Sequence, residues 1–124
     1  MISNIKIAII EDEPLIADHI EQYVLDAGFK SAGIADNFND TKELLQKENP
    51  DLILLDINLG DGPDGIDIAH YINQHYKKPF IFISSNTDSK TLERVKLTNP
   101  FGFIVKPFKP SDIQTQINLA WHSF

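Results

Sequence analysis

Short, mainly apolar runs alternate with longer amphipathic segments along this chain, and most of the runs end at a polar or charged side chain. The runs cover residues 5–10, 31–35, 52–55, 80–83 and 103–105. The residues that directly follow four of them are Glu11 and Asp12, Asp56, Ser84, and Lys106. The run over residues 52–55 is apolar throughout, as is typical of a strand that is covered on both faces. The pattern therefore predicts five short strands.

Helix signals lie between these runs. Pro14 falls in the first turn of a predicted helix, where proline is well tolerated, and Gly28 ends that helix. The second and fourth helices are predicted over residues 39–48 and 89–97, and an Asn-Pro pair follows each of them. Because the residue before a proline disfavours the helical conformation, these pairs indicate helix ends.

The two remaining helices are predicted from apolar side chains at helical spacing. In the third helix these are Ile66, Ile68, Ala69 and Ile72. The last helix begins at Pro110, and the side chains expected on its buried side are Ile113, Ile117, Ala120 and Trp121. Strands and helices in strict alternation imply an α/β fold with one parallel sheet between two layers of helices.

The polar residues after the strands form the candidate site. Parallel strands bring their carboxyl ends to one edge of the sheet, and open α/β sheets bind ligands just outside that edge. The edge is expected to hold three carboxylates, one hydroxyl and one ammonium group, from Glu11, Asp12, Asp56, Ser84 and Lys106. This set of groups predicts a site that handles a phosphoryl group.

Composition narrows the function classes. At 124 residues, of which 42% are hydrophobic and 23% charged, the chain is expected to form one soluble domain over residues 1–124. It has no apolar stretch of membrane-spanning length, no leader segment and no cysteine, so we expect a cytoplasmic location without membrane contact. The net charge of −7 argues against direct nucleic-acid binding, because phosphate backbones are bound by clusters of lysine and arginine.

Four segments carry a family resemblance. They read IIEDEP over residues 9–14, DLILLDINL over 51–59, PFIFISS over 79–85 and GFIVKPF over 102–108. With these segments the chain resembles, over essentially its whole length, the receiver domains of two-component response regulators. The resemblance implies a single doubly wound, flavodoxin-like parallel sheet of five strands, in the order 2-1-3-4-5, with five helices.

The resemblance also implies roles for the acidic residues. Asp56 matches the aspartate that accepts the phosphoryl group. Glu11 and Asp12 match the acidic pair that, with Asp56 and the backbone carbonyl of Asn58, holds Mg²⁺, for which Mn²⁺ is an expected substitute. The plainer interpretations stay open: Glu11 and Asp12 as acids near the start of a helix, and Asp56 as an ordinary turn residue after a strand.

Three further positions match the family. Lys106 matches the lysine that binds the phosphoryl group, and Ser84, rather than the neighbouring Ser85, matches the switch hydroxyl. Phe103 matches the aromatic switch, although an aromatic residue of the core is an equally good interpretation. The Lys106–Pro107 bond is a candidate cis peptide.

The implied function is that of a signalling switch rather than an enzyme. A sensor histidine kinase or a phosphotransfer protein is expected to phosphorylate Asp56, and the change of shape is expected to control an output domain or a relay partner. The segment over residues 99–103 is similar to receivers attached to LytTR-type DNA-binding domains, which would lie beyond this chain. The expected partner surface, which is also the place of a homodimer contact, covers residues 90–124.

Two other functions compete with this one. A phosphatase-like hydrolase of the haloacid-dehalogenase type would also use Asp56 as its nucleophile, but it needs a second acid two residues later, where this chain has Asn58. A pseudo-receiver that only binds partners is disfavoured because each group required for phosphoryl transfer is present.

Overall fold

The computed structural model describes residues 4–124, which form five strands and five helices in alternation. The strands are β1 (Lys6–Ile10), β2 (Lys30–Ala35), β3 (Leu52–Asp56), β4 (Phe80–Ser84) and β5 (Gly102–Val105). The helices are α1 (Pro14–Asp26), α2 (Phe38–Glu48), α3 (Gly65–His75), α4 (Ser89–Lys96) and α5 (Pro110–Ser123). The predicted elements are all present, with ends that differ by one or two residues.

The strands form one sheet in the order β2-β1-β3-β4-β5, and every neighbouring pair is parallel. The predicted doubly wound fold is therefore confirmed. The chain runs from β1 outward to β2 and then crosses back to β3, so the strand order reverses between β1 and β3. A reversal of this kind opens a crevice at the carboxyl ends of the two strands. Asp56 ends one of these strands and Glu11 follows the other.

The core lies on both faces of the sheet, because successive side chains of a strand point to opposite faces. In β1, Ile7 and Ile9 pack toward α1 and α5, whereas Ala8 and Ile10 pack toward α2 and α3. The same alternation continues in β3 and β4. All five residues of β3 are buried, which explains why its sequence is apolar up to the final aspartate.

The local signals for helix starts and ends act as predicted. Pro14 occupies the first position of α1, and Asn49 ends α2 with a φ of 46° in the left-handed region, which asparagine tolerates. Among the helices in the described part of the chain, none combines the length and hydropathy needed to cross a membrane.

The expectation that Trp121 lies on the buried side of α5 is wrong. Ile113, Ile117 and Ala120 are fully buried, but Trp121 is 36% exposed. Residues 121–124 are all exposed, so the last turn of the helix has passed the edge of the core. The indole instead stacks on the ring of Phe124, with 6.3 Å between the ring centroids.

Gly65 allows α3 to begin directly against the end of β3. Its backbone N–H donates a hydrogen bond to the carbonyl oxygen of Ile57 at 2.7 Å. A Cβ atom at this position would lie 1.9 Å from the carbonyl oxygen of Asp56, far inside van der Waals contact. The absence of a side chain at Gly65 therefore allows the start of α3 to lie directly against the backbone of Asp56.

We expect Gly65→Ala to lower the free energy of unfolding by about 1–3 kcal/mol, because the added methyl group meets backbone atoms that cannot move aside. Urea unfolding measures the change. Ser89→Ala is the matched control, since Ser89 is also the first residue of a helix but is exposed. Equal stability of the two variants would contradict the close approach of α3 to Asp56.

Candidate functional site

The polar residues predicted at the strand ends meet at the carboxyl edge of the sheet. Two backbone hydrogen bonds join the neighbouring strand ends there. The N–H of Glu11 donates to the carbonyl of Ala35 at 3.0 Å, and the N–H of Lys106 donates to the carbonyl of Ser84 at 3.0 Å. These hydrogen bonds continue the strand pairing by one residue and fix the backbone from which the side chains of Glu11 and Lys106 project.

Three carboxylates gather at this edge. Oxygen atoms of Glu11, Asp12 and Asp56 all lie within 4.8 Å of one another. Glu11 is 2% exposed and Asp56 is 5% exposed, whereas Asp12 is partly open to solvent. Hard divalent cations such as Mg²⁺ prefer oxygen ligands of this type, so the donor set fits the cation that the sequence predicts.

Lys106 supplies a positive charge inside the cluster. Its Nζ atom lies 2.9 Å from Oε1 of Glu11 and 3.5 Å from Oδ2 of Asp56. The lysine side chain is 17% exposed, so the two ion pairs are largely shielded from water. The Lys106–Pro107 peptide bond is cis, as the sequence suggested. One ammonium group thus bridges two of the three carboxylates.

The pKa values of the cluster reflect burial first and the crowding of like charges second. Burial, and then the charge of Glu11, raise the pKa of Asp56 to about 7, and the same two causes raise the pKa of Asp12. Burial acts against the charge of Lys106, but its hydrogen bond to Glu11 and the charges of Asp56 and Glu11 outweigh burial and raise the pKa of the lysine. The cluster therefore carries more negative charge than Lys106 alone can balance.

Glu11 also contributes to the start of α1. Its Oε2 atom accepts a hydrogen bond at 3.2 Å from the backbone N–H of Glu13, the residue at the N-cap of the helix. The helix-start interpretation of Glu11 is thus correct in part. It does not compete with the site interpretation, because the other carboxylate oxygen faces Lys106.

Ser84 is fully buried, and its hydroxyl oxygen accepts a hydrogen bond from the backbone N–H of Asn86 at 3.0 Å. The side-chain amide of Asn86 donates to the Thr91 hydroxyl at 3.2 Å, and its oxygen accepts from the N–H of Asp88 at 3.1 Å. A chain of polar contacts therefore runs from Ser84 into the first turn of α4. Sequence reasoning missed this link. The signal for it was the concentration of short polar side chains over residues 84–91.

Asn58 and Phe103 are the two remaining residues of the predicted site. Asn58 is exposed in the loop after β3, and this loop folds back so that a Cβ atom on Gly60 would lie 3.8 Å from Oδ2 of Asp12.

Phe103 is partly buried against the core, and its ring centroid lies 6.3 Å from that of Phe82. Phe103 is packed here as a core residue, and its role as an aromatic switch stays a prediction.

The sequence and the fold both have known relatives. The sequence pattern of the response regulator receiver domain matches residues 7–118. The transcriptional regulatory protein CitB of Klebsiella pneumoniae is 37% identical over 109 residues, which cover 84% of this chain and 45% of CitB. The sensory transduction protein LytR of Staphylococcus haemolyticus is 34% identical over 119 residues, which cover 94% of this chain and 45% of LytR. The chain thus spans less than half the length of these two relatives.

A solved structure supports the same assignment. The signal receiver domain of a modulated diguanylate cyclase from Desulfovibrio desulfuricans superposes with a TM-score of 0.91 at 30% sequence identity. The superposition covers 98% of this chain and 96% of that domain. Sequence pattern, relatives and fold agree, and the chain belongs to the family of response regulator receiver domains.

Proposed function

We propose that this receiver accepts a phosphoryl group on Asp56 and works as a phosphorylation-controlled switch. The observation that carries the proposal is the gathering of three carboxylates within 4.8 Å of one another, two of them bridged by Lys106. Like charges held together at a largely buried edge lower the stability of a fold, and such arrangements are typical of functional sites. Membership of the receiver family supports the same interpretation.

In the proposed reaction, a carboxylate oxygen of Asp56 attacks the phosphorus atom of a phosphohistidine. The new O–P bond forms as the N–P bond of the donor breaks, and the imidazole leaves with the bonding electron pair. Lys106 lies where its ammonium group can neutralise one phosphoryl oxygen. The site therefore contributes position and charge rather than acid–base chemistry.

Glu11, Asp12, Asp56 and the backbone carbonyl of Asn58 are the proposed ligands of Mg²⁺, with Mn²⁺ as a substitute. When bound, the cation neutralises negative charge on the phosphoryl group and on the carboxylates. The closeness of the three carboxylates supports this assignment. Burial, and then the charge of Glu11, raise the pKa values of Asp12 and Asp56, and a bound cation would counter both effects.

The proposed switch begins with the charge of the new group, about −1.5 to −2 at neutral pH. The hydroxyl of Ser84 would release the backbone of Asn86 and donate to a phosphoryl oxygen. The polar chain that joins Asn86 to α4 would then carry the change into that helix. Phe103 is proposed to turn into the space that is vacated. If the ring stays in place in the phosphorylated protein, Phe103 is only a core residue.

The proposed phosphodonor is a sensor histidine kinase or a phosphotransfer protein, and the proposed recipient of the signal is an output domain or a relay partner. A LytTR-type DNA-binding domain is the candidate output, supported by the 34% identity to LytR. A homodimer contact is proposed on residues 90–124. The exposed apolar side chains of Leu97, Phe101 and Val105 support it.

Intact mass after incubation with acetyl phosphate and Mg²⁺ tests the assignment of Asp56. We expect one phosphoryl adduct on the parent and none on Asp56→Asn, because the amide is not a nucleophile. Asp61→Asn is the matched control, since Asp61 is an exposed acid in the following loop, and it should be modified like the parent. An adduct retained by folded Asp56→Asn would refute the assignment. Multiple turnover of a small phosphate ester would favour the hydrolase instead.

The raised pKa of Asp56 also predicts a pH effect on stability. Because folding raises this pKa from 3.8 to about 7, the folded state binds the proton more tightly, and this stabilisation is lost as the pH rises from about 4 to about 7. The comparison is between Asp56→Asn and the parent without divalent cations. We expect the difference in free energy of unfolding, variant minus parent, to be about 1–3 kcal/mol larger at pH 8 than at pH 4.

Urea unfolding at a series of pH values measures this difference. Asp61→Asn is the matched control, since it removes an exposed carboxyl group instead of a buried one. A pH-independent difference between Asp56→Asn and the parent would show that burial beside Glu11 does not perturb the carboxyl group of Asp56.

A further inference from the structure

Helix α4 has little apolar contact with the rest of the domain. Of its eight residues, Val95 alone is buried. The helices on the same face of the sheet bury more: α3 places five residues in the interior. The position of α4 must therefore depend to an unusual degree on polar contacts, which are easier to break and reform than a packed apolar face.

Arg94 makes a two-pronged polar contact with the start of α3. Its Nη1 and Nη2 atoms lie 2.9 and 3.3 Å from the two carboxylate oxygens of Asp64, which is 30 residues earlier in the chain. Nη2 also lies 3.7 Å from Oδ1 of Asp67. The side chains of Arg94 and Asp64 are 48% and 25% exposed, so the pair is only partly screened by water. A two-pronged contact of this kind fixes direction as well as distance.

Asp64 stands next to the backbone that positions the phosphoacceptor. Asp64 is the N-cap of α3 and forms a capping box with Asp67. The side chain of Asp64 accepts a hydrogen bond from the backbone N–H of Asp67 at 2.9 Å. The backbone N–H of Asp64 donates to the carboxylate of Asp67, also at 2.9 Å. The next residue is Gly65, whose N–H is bound to the carbonyl of Ile57 and which lies against the backbone of Asp56. Rigid contacts thus connect Asp64 to Asp56.

We propose that Arg94 is a positioning residue for the phosphorylation site: its ion pair with Asp64, here called the Arg94–Asp64 latch, holds α4 against the segment of backbone that follows Asp56. The latch is a second connection between α4 and the site. The first runs from Ser84 through Asn86 to Thr91 at the start of the helix. The latch attaches instead to the start of α3, where Gly65 lies against the backbone of Asp56.

The regulatory part of this inference rests on the proposed function. If α4 leaves its present position when Asp56 is phosphorylated, the latch opposes that movement, and cutting it makes phosphorylation easier. By reciprocity, phosphorylation must weaken the latch by the same factor. A surface ion pair of good geometry changes an equilibrium by about two- to fivefold, which is enough to set the response of a switch to a weak donor.

Hydrogen exchange of the unphosphorylated protein tests the latch itself. We expect the amides of residues 92–97 to exchange about two- to fivefold faster in Arg94→Met and in Asp64→Asn than in the parent. Asparagine is as good an N-cap as aspartate, so the second variant keeps the start of α3. Lys96→Met is the matched control, because it also removes an ion pair of α4, but the partner, Glu93, belongs to the same helix.

Salt distinguishes the latch from a packing effect. About 1 M salt reduces the screening length to about 3 Å and should make the difference between Arg94→Met and the parent smaller. Equal exchange in Arg94→Met and Lys96→Met at low salt would overturn the proposal. So would a difference that persists unchanged at high salt.

Phosphorylation tests the regulatory part. With limiting acetyl phosphate and Mg²⁺, we expect the ratio of modified to unmodified protein at steady state to be about two- to fivefold higher in Arg94→Met than in Lys96→Met. An equal ratio, together with faster exchange in α4, would overturn the regulatory role. The absence of an adduct on every protein, the parent included, would refute the proposed function but leave the exchange result valid.

Discussion

The site depends on one electrostatic constraint: three carboxylates must share a partly buried edge of the sheet with the ammonium group of Lys106. The fold imposes this arrangement because β1, β3 and β5 end at the same edge. Each strand contributes its following side chain, and backbone pairing fixes the directions. Lys106 makes the arrangement tolerable by contacting both Glu11 and Asp56, although the pKa of Asp56 stays raised. The proposed divalent cation would add to this charge balance.

The sequence predicts most of the architecture because the signals are local and repeated. Each strand is a short apolar run, each helix has an identifiable start or stop, and parallel strands must place their polar ends together. The same signals fail where a contact depends on how far an element extends. Helical spacing places Trp121 with Ile117 on the buried side, but the core ends at Ala120 and the indole stacks on Phe124. Periodicity gives the direction of a side chain but not the boundary of the core.

Long-range polar contacts were equally hidden. Nothing in the spacing of Arg94 and Asp64 indicates a contact across 30 residues, because that contact depends on the relative placement of α3 and α4. The pairing of Lys106 with Glu11 as well as with Asp56 likewise requires side-chain geometry. The candidate site could therefore be predicted as a set of residues. Of the contacts that connect this set to α4, the link from Ser84 has a local signal in the short polar side chains over residues 84–91, whereas the contact between Arg94 and Asp64 has none.

These contacts divide the molecule into two kinds of structure. The sheet and α1, α3 and α5 are held by buried apolar side chains on both faces, and they fix the carboxylates in place. Helix α4 is held by polar contacts that lead back to Ser84 on one side and to the backbone beside Asp56 on the other. A change of charge at Asp56 would thus act on the helix that buries the fewest residues.

The most direct test of the electrostatic account is the effect of Mg²⁺ on the thermal unfolding of Lys106→Met at pH 8. If Lys106 and the cation balance the same negative charge, Mg²⁺ should raise the unfolding midpoint more in Lys106→Met than in the parent. Lys77→Met is the control, since Lys77 is exposed, and it should respond like the parent. An equal or smaller rise in Lys106→Met would contradict the account, because the lysine and the cation would then act on different charges.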